Sequence, residues 1–547
     1  MRNWARAAAL VIALSACTPG SGPAPTPEVL ASEQALSFPI AQDVQDFDPA
    51  MISHAADVDI LRNVFSGLYR FDAQLHEVPD LAVGQPAISA DGLTYTFHLR
   101  QDARFSNGDT LTADDVIYSW NRAATRQGDY AGLFSVIAGY QDVAAGSSTQ
   151  MSGLTKTDAY TLSVTLSKRA GYFIDLVGLW PFWIVDQKVI ASAGEDAWST
   201  SADTLIGSGP FRMTARVPGQ SIDFAPVAAW YGGKTGALTR VHVDVVADTA
   251  AQVTQYESGV YSLIGYGRQG LSPAAATRYT SDPKLKSQLT LVTLGVSYWI
   301  GFNLKSGPFA GIDTGQAGRH AFSEAIDRAA LEAALCNQGT TCTVATGGVI
   351  SKGLQGYLGD GKDTNVKFDA TAAKAEYTAW DPTGSKVKGL AYTFDSNAFN
   401  KAVCTNLQAQ WKKNLGVDVG CAEEPDLPHF FQQRNGACAY PLFRQSWAAD
   451  YDHPQDWFDY LFQTGATSSG SCYSNPNLDH LVANADAVPL GQGLTEYKTA
   501  GYLLVDQTIA APLVYGVQQY MVHDYVKGAG GNALYDNPWT GIRILQH

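Results

Sequence analysis

The sequence predicts a mixed α/β fold, because short strand patterns alternate with helix patterns along most of its 547 residues. Strands are predicted where apolar and polar residues alternate, over residues 93–100, 161–167, 240–246 and 389–394. Helices are predicted where end signals bracket an apolar periodicity, over residues 113–124, 400–415 and 495–510. No segment recurs with a period of 20–50 residues, which argues against a repeat architecture.

Residue types at the helix ends support two of these helices. Thr112 precedes the acidic pair Asp114 and Asp115, an arrangement that caps a helix start. The helix over 400–415 carries lysines in its last turn and is followed by Gly416, which suits the helix dipole and a left-handed C-terminal residue.

Composition bounds the class of protein. At roughly 150 residues per domain, the length predicts three or four domains. The chain is 16% charged, 46% hydrophobic and 11% aromatic, a balance that excludes a disordered protein. The net charge is −15 and there is no basic run, so we expect no nucleic-acid partner. The 52 glycines and 24 prolines interrupt any long coiled coil.

The first residues indicate export. Arg2 and Arg6 precede an uncharged stretch of about ten residues, which predicts a signal peptide over residues 1–16. The sequence Leu-Ser-Ala-Cys ending at Cys17 resembles the lipobox of bacterial lipoproteins, and residues 17–30 are a proline-rich tether. We therefore expect a lipid-anchored protein on the extracytoplasmic face of the membrane; the alternative is an ordinary secretory signal with a chance cysteine.

Six further cysteines all lie in the second half of the chain. An even number in an exported chain predicts disulfides, with 15 possible connectivities. Pairing of sequence neighbours gives Cys336–Cys342, Cys404–Cys421 and Cys438–Cys472. A structural metal is the rival interpretation, but there is no Cys-x-x-Cys and no paired-histidine spacing to support it.

An ordered set of motifs then carries a family resemblance. These are the segments 65–72, 91–100, 103–122, 206–221, 230–234, 301–309, 325–328, 410–419, 446–458 and 511–515. In this order and spacing they resemble the bacterial extracellular solute-binding proteins of the peptide/nickel type, the substrate-binding lipoproteins of ABC importers. The resemblance covers essentially everything after Ala31.

The resemblance implies a two-lobed periplasmic-binding-protein-like fold with a hinge and an additional domain. Lobe I would comprise residues 31–72, 203–294 and 512–547. The additional domain would comprise residues 73–202, and lobe II residues 297–511.

The same resemblance implies ligand-binding residues in the segment 443–457. Asp450 matches the position that pairs with the α-ammonium of a bound peptide in oligopeptide binders of this family. Arg444 matches a basic position that in some members meets the peptide carboxylate. Trp447 and Tyr130 are the aromatic candidates for the pocket. Without the resemblance, Asp450 would be interpreted as a turn residue that is either solvated or caps a helix.

Other chemistry has weaker support. Asp450, Asp452, His453 and Asp456 crowd seven residues and would suit a divalent cation, but the spacing matches no known calcium loop. Neither Gly-x-Ser-x-Gly nor His-Glu-x-x-His occurs, so an enzyme is not expected, with a secreted hydrolase as the remote alternative. We expect no cofactor and no metal.

The sequence thus predicts a monomeric, lipid-anchored receptor that captures short peptides and delivers them to an ABC transporter permease. The alternative within this family is a non-peptide ligand such as a nickel chelate, haem or an oligosaccharide.

The anchor yields the first testable prediction. Cys17→Ala should move the protein from the membrane fraction to the soluble extracytoplasmic fraction, because the acylated residue is the only attachment expected. Fractionation after a high-salt wash measures this, and a variant that stays membrane-bound would contradict lipid anchoring at Cys17.

Overall fold

Strands and helices alternate in the computed structural model of the chain, which describes residues 28–233 and 235–547 and confirms the mixed α/β class. Cys17 and the predicted signal peptide lie outside the described residues. The strands are β1 (Ala35–Ile40), β2 (Tyr69–Phe71), β3 (Glu77–Pro79), β4 (Ala87–Ile88), β5 (Thr94–His98), β6 (Leu154–Asp158), β7 (Thr161–Thr165), β8 (Phe211–Val217), β9 (Ser221–Pro226), β10 (Arg240–Val245), β11 (Leu263–Ile264), β12 (Leu289–Phe302), β13 (Cys342–Val344), β14 (Ala391–Asp395), β15 (Gly420–Glu424), β16 (Leu442–Ala448), β17 (Ala510–Val522), β18 (Val526–Lys527) and β19 (Arg543–Ile544).

The helices lie between and after these strands. They are α1 (Ala55–Leu61), α2 (Ala113–Arg126), α3 (Tyr140–Ala144), α4 (Phe173–Leu176), α5 (Gln187–Ala193), α6 (Thr249–Glu257), α7 (Pro273–Ser281), α8 (Gln316–Glu324), α9 (Arg328–Leu335), α10 (Ala370–Trp380), α11 (Ala398–Leu415), α12 (Leu427–Phe431), α13 (Gln455–Leu461), α14 (Pro476–Asp486) and α15 (Leu490–Asp506). None of the helices in the described part of the chain has the length and apolarity that a membrane span needs.

Three sheets organise the chain. The first has the order β1-β10-β9-β8, with β1 and β10 parallel. The second is an antiparallel sheet of order β4-β5-β7-β6. The largest has the order β11-β17-β12-β16-β14-β15, with β13 added to β17. Two strand pairs, β2-β3 and β18-β19, stand apart from these sheets.

The long strands β12 and β17 run side by side through the largest sheet. Residues 289–293 pair with 517–521, and residues 297–301 pair with 510–515. The register shifts between Thr293 and Ser297, and such an irregularity bends and twists a strand pair. This shift coincides with the boundary at 294–297 that the sequence resemblance implies between lobe I and lobe II.

The predicted elements are present with small changes at their ends. Helix α2 begins where the sequence indicates, because the Asp115 carboxylate accepts the Thr112 amide at 2.9 Å in a capping box. Helix α11 starts at Ala398, two residues earlier than predicted, since Asn397 caps it by accepting the Asn400 amide. Helix α15 covers Leu490–Asp506 instead of 495–510, because residues from Ala510 onward join β17.

The hydrophobic core includes the apolar run over residues 172–185, which contains Asp175 and Pro181 and is too short to span a membrane. Phe173, Leu176 and Ile184 from this run are almost fully buried. Trp120 of α2 packs against it, and its indole N–H donates to the Phe182 carbonyl at 3.0 Å, so its one polar atom is satisfied.

Three disulfides connect parts of the second half of the chain. They are Cys336–Cys342, Cys404–Cys421 and Cys438–Cys472, with Cα–Cα distances of 4.8, 6.0 and 6.2 Å, the same pairs that sequence neighbours predict. The second joins α11 to β15, two elements that pack on each other.

A buried ion pair fixes α2 to the segment after β1. The Arg122 guanidinium donates to both carboxylate oxygens of Asp48, at 2.9 and 2.6 Å, and its Nε donates to Glu195 at 2.9 Å. The Arg122 and Asp48 side chains are only 6% and 5% exposed. Bidentate geometry and burial make this pair strong, but either charge would be costly to leave alone.

This ion pair gives a stability prediction. Asp48→Asn should lower the free energy of unfolding by up to about 3–5 kcal/mol, because it removes the buried bidentate partner of Arg122 and leaves only the half-exposed Glu195 carboxylate. The matched control is Asp114→Asn in α2, the helix that carries Arg122, where the ion pair of Asp114 with Lys156 is exposed and is worth about 0–1 kcal/mol. Urea unfolding of the three proteins measures both losses; equal losses for the two variants would contradict a structural role for the Arg122 pair.

Candidate functional site

Two carboxyl groups come together where strand β16 ends. Ala449 donates its amide to the Gly295 carbonyl at 2.8 Å, so β16 stays attached to β12 up to this residue. Asp450 follows in a turn, and helix α13 starts at Gln455. Asp456, in the first turn of that helix, accepts the Asp450 amide at 3.2 Å. Strand, turn and helix therefore place both aspartates at one point.

Asp450 also contacts two segments that are far away in the chain. The Tyr130 hydroxyl donates to the Asp450 carboxylate at 3.2 Å. The Tyr535 hydroxyl donates to the Asp450 carbonyl oxygen at 3.0 Å. The side chain of Asp450 remains partly exposed, so it is accessible at the place where these three segments meet.

Asp456 lies behind Asp450 and is fully buried. One of its carboxylate oxygens accepts the Trp447 indole N–H at 3.0 Å as well as the Asp450 amide. Its other oxygen, Oδ1, is buried and has no hydrogen-bond partner among the described residues. The Trp447 ring stacks on Tyr460 of α13 with a centroid distance of 5.7 Å, which holds the indole in place.

The charge of this pair is not balanced within the described part of the chain. Neither Asp450 nor Asp456 forms an ion pair there with a Lys, Arg or His side chain. Burial raises the pKa of Asp450 to about 7, and the hydrogen bond from Tyr130 acts in the opposite direction. Burial and the neighbouring Asp450 charge raise the pKa of Asp456.

The arrangement favours a cation with hydrogen-bond donors. A buried carboxylate is costly unless it is paired and hydrogen-bonded. An ammonium group carries three donors and one charge. It would supply both the counter-charge that Asp450 lacks and a donor directed to the carboxyl pair.

Tyr130 is held rigidly beside this pair. It precedes a short 3-10 helix, Ala131–Val136, and its ring meets the Trp180 ring edge-on at 4.6 Å. Trp180 in turn donates its indole N–H to the Ile52 carbonyl at 3.0 Å. The Tyr130 hydroxyl therefore has a fixed direction toward Asp450.

Arg444 does not join this group. It lies three residues before Trp447 on β16, and an odd separation along a strand directs two side chains to opposite faces of the sheet. Its Nε lies 2.9 Å from a carboxylate oxygen of Asp395 and its guanidinium 6.0 Å from the Phe430 ring centroid. The structure thus brings Tyr130, Trp447 and Asp450 together and places Arg444 elsewhere.

A second guanidinium accompanies Arg444. Arg434 is buried, lies over the ring of Phe431 at 4.9 Å, and has a pKa lowered to about 9 by burial and by the Arg444 charge. Asp395 is the carboxylate close to both arginines: it contacts Arg444 directly, and its charge acts to raise the pKa of Arg434. Two guanidinium groups and one carboxylate leave an excess of one positive charge.

The metal interpretation of the same segment concerned Asp450, Asp452, His453 and Asp456. Within the described residues, no three of these side chains bring ligand atoms to one point. His453 is directed to the backbone, where its Nδ1 accepts the Gln455 amide at 3.1 Å, and burial lowers its pKa to about 3.

A further group of acids lies where the segment around Gly171 meets helix α14. The Gly171 amide donates to the Asp486 carbonyl at 2.6 Å, and a Cβ at Gly171 would collide with the Val488 carbonyl oxygen at 1.8 Å. Burial and the nearby Asp459 charge raise the pKa of Asp486 to about 8. Only glycine permits this close contact between the two segments.

A cavity of about 380 Å³ lies next to the site. Two of its lining residues belong to the neighbourhood of Asp450: Trp180, which contacts Tyr130, and Tyr535, which donates to the Asp450 carbonyl. Its wall also contains Phe65, Trp183 and Trp230, so aromatic rings form a substantial part of its lining, beside charged side chains such as Arg70 and Asp80. Such a cavity suits an apolar or aromatic group.

Sequence reasoning missed two participants. Tyr535 lies 85 residues after Asp450, and no local pattern marks it as a neighbour. Asp456 was considered only as a metal ligand. Its position six residues after Asp450 was the one available signal.

Comparison with known proteins places the chain among exported binding proteins. A family model described as bacterial extracellular solute-binding proteins, family 5 Middle, matches residues 77–469. The periplasmic murein peptide-binding protein MppA of Escherichia coli is 24% identical over 511 residues, covering 92% of each chain. The periplasmic oligopeptide-binding protein OppA of Salmonella typhimurium is 24% identical over 549 residues, covering 98% of this chain and 97% of the relative.

Solved structures show the same fold. The unliganded open form of MppA superposes with a TM-score of 0.81 at 23% identity, covering 96% of this chain and 99% of that one. The OppA of Haemophilus influenzae, in complex with the peptide RPPGFSPFR, superposes with a TM-score of 0.72 at 21% identity, covering 94% and 100%. The two-lobed fold that the sequence resemblance implies is thereby confirmed.

The raised pKa of Asp450 predicts how stability depends on pH. Between pH 4 and pH 7 the folded, unliganded protein keeps a proton on Asp450 that the unfolded chain releases, so the free energy of unfolding falls as pH rises. One such group contributes at most about 1.4 kcal/mol per pH unit. Asp450→Asn should therefore show a shallower decline over this window.

Urea unfolding at pH 5, 6, 7 and 8 measures the difference. Asp486 and Asp536, whose pKa values burial raises to about 8, contribute equally to both proteins and cancel. Asp129→Asn, which removes an exposed carboxylate next to Tyr130, should retain the wild-type slope. Parallel profiles for wild type and Asp450→Asn would contradict the raised pKa.

Proposed function

The chain belongs to the bacterial extracellular solute-binding proteins of family 5, and on that premise we propose that it captures short peptides through their free α-ammonium group. Members of this family are binding proteins and not enzymes. The peptide specificity, by contrast, rests on the chemistry of the site described above.

The observation that carries the proposal is the desolvated carboxyl pair Asp450 and Asp456, which has no cation of its own among the described residues. A free ammonium ion entering this place would form a charge-assisted hydrogen bond with Asp450. A ligand without a positive charge would leave the carboxyl pair to hold a proton instead. The site therefore selects for a free amino terminus.

The neighbours of Asp450 would orient the ligand. Tyr130 and Tyr535 fix the carboxylate and the backbone of Asp450 from two sides, so a bound ammonium would meet a preorganised partner. Trp447 anchors Asp456 behind it. The aromatic cavity beside Trp180 and Tyr535 would accommodate an apolar side chain of the peptide.

Arg444 keeps a place in the proposal as the partner of the peptide carboxylate. The excess positive charge of Arg434 and Arg444 over Asp395 supports this role. Arg444 is about three strand residues from Trp447, or roughly 10 Å along β16. Because Arg444 and Trp447 are on opposite faces of the sheet, a peptide would have to add to the edge of β16 as a strand, with its amino terminus at Asp450 and its carboxylate turned to the face of Arg444.

Closure would bury the peptide between lobe I (31–72, 203–294 and 512–547) and lobe II (297–511), with residues 73–202 as the additional domain. The separate sheets β1-β10-β9-β8 and β4-β5-β7-β6 support this division. The register shift between Thr293 and Ser297 supports a hinge in the β12–β17 pair.

The wider setting is part of the same proposal. The N-terminal pattern ending at Cys17 supports a lipid anchor on the extracytoplasmic face of the membrane. The names of both relatives describe periplasmic proteins that bind peptides. This supports a role in delivering the peptide to an ABC transporter permease. We take the receptor to be a monomer.

Calorimetry tests the site. The ligand is the peptide released from the purified protein by denaturation and identified by mass spectrometry, compared with its N-acetylated form. Acetylation should weaken binding to wild type more than a hundredfold, because it removes the charge that pairs with Asp450, a change of about 3–5 kcal/mol. Asp450→Asn should lose most of this preference.

The control is Asp129→Asn, which should discriminate between the two peptide forms as wild type does. If wild-type protein binds both peptide forms equally, the ammonium role of Asp450 is wrong. If mass spectrometry finds a nickel chelate, haem or an oligosaccharide in place of a peptide, the ligand class is wrong as well.

A further inference from the structure

Helices α8 and α10 pack closely in the second half of the chain. Their contacts run in opposite directions along the two helices, with Gly318 next to Trp380 and the Glu324 carbonyl accepting the Asp369 amide at 3.1 Å. A Cβ at Gly318 would lie 2.5 Å from the Trp380 ring, so the glycine allows the helices to approach. This approach brings polar side chains of the two helices together.

Three potential metal ligands meet at this contact. His320 and Glu324 are one turn apart on α8 and share a helix face. Glu376 of α10 lies opposite, with an oxygen 2.5 Å from His320 Nδ1. One ligand atom from each of the three residues lies within 4.8 Å of the others, and all three residues are half-buried.

The charges of the cluster are unbalanced. Burial raises the pKa of Glu324, and the charges of Asp369 and Glu376 raise it further, while His320 and Lys367 act in the opposite direction. In the described part of the chain, Glu376 pairs only with His320, and Glu324 forms no ion pair. Two carboxylates and a neutral imidazole would present two negative charges to one point.

The donor set discriminates between metals. Ligands bound to Zn²⁺ at about 2.0–2.2 Å lie roughly 3.0–3.5 Å from one another, so small side-chain movements would complete the site. Ca²⁺ and Mg²⁺ prefer oxygen ligands alone, whereas an imidazole with carboxylates suits first-row transition metals. Local sequence patterns do not reveal the cluster, because Glu376 lies 56 residues after His320.

We propose that His320, Glu324 and Glu376 form a binding site for a divalent transition-metal ion, with Zn²⁺ as the test ion. Water would occupy the remaining coordination positions. The bound ion would connect α8 to α10. None of the three residues belongs to the group around Asp450, so this site is independent of the proposed peptide site.

Titration of the chelator-treated protein with ZnCl₂ tests the proposal. In the tight phase of the titration, wild type should bind one Zn²⁺ more than His320→Ala does. Zn²⁺ should raise the melting temperature of wild type but not that of His320→Ala. Glu324→Gln and Glu376→Gln preserve side-chain shape and should weaken binding by roughly 10–100-fold or more. Co²⁺ should give visible d–d absorption with wild type that His320→Ala lacks.

His242 provides the matched control. It also lies between two carboxylates, but Asp223 contacts its Nδ1 at 2.9 Å and Asp244 its Nε2 at 3.0 Å, so the two acids face different ring nitrogens. His242→Ala should keep the wild-type stoichiometry and affinity. The proposal fails if all three cluster variants bind Zn²⁺ as wild type does, or if His242→Ala alone abolishes binding.

Discussion

Two carboxyl groups that the fold desolvates together, Asp450 and Asp456, impose the main electrostatic constraint on this protein. Their charge can be neutralised only by a proton or by a cation, and the described residues supply no such cation. A protein with marginal stability retains such a pair only if the surrounding structure holds it. The polar contacts around the pair therefore link parts of the chain that are remote in sequence.

These contacts extend well beyond the site. Tyr130 reaches Asp450 because Trp180 fixes its ring and because the Arg122–Asp48 ion pair fixes helix α2 nearby. Tyr535 reaches it from the C-terminal segment, where Arg62 lies over its ring at 4.6 Å. A ligand that pairs with Asp450 would thus bind at the junction of these three segments.

Local patterns predicted seven of the elements of the fold, four strands and three helices. The alternation of apolar and polar residues predicted β5, β7, β10 and β14. The residues Thr112 and Gly416 predicted one end each of two helices. Both signals work because strand and helix formation depend on residues that are neighbours in the sequence. Sequence-neighbour pairing also gave the disulfides that the structure contains.

The site was predictable only in part. The family resemblance singled out Asp450 and Trp447, which lie within one local segment. Tyr535 and the partnership of Arg444 with Asp395 depend on the tertiary arrangement of strands and loops, which no spacing in the sequence encodes. Arg444 shows the limit clearly: three residues from Trp447 in sequence, it lies on the opposite face of the sheet.

Proton release on binding tests the central claim most directly. Calorimetric titration of the natural peptide at pH 6, in buffers of different ionisation enthalpy, counts the protons that leave the protein. With a pKa of about 7, Asp450 is largely protonated in the free protein at this pH, so pairing with an ammonium group should release about one proton. Tight binding of the free-amine peptide with no proton release from wild type would contradict the account.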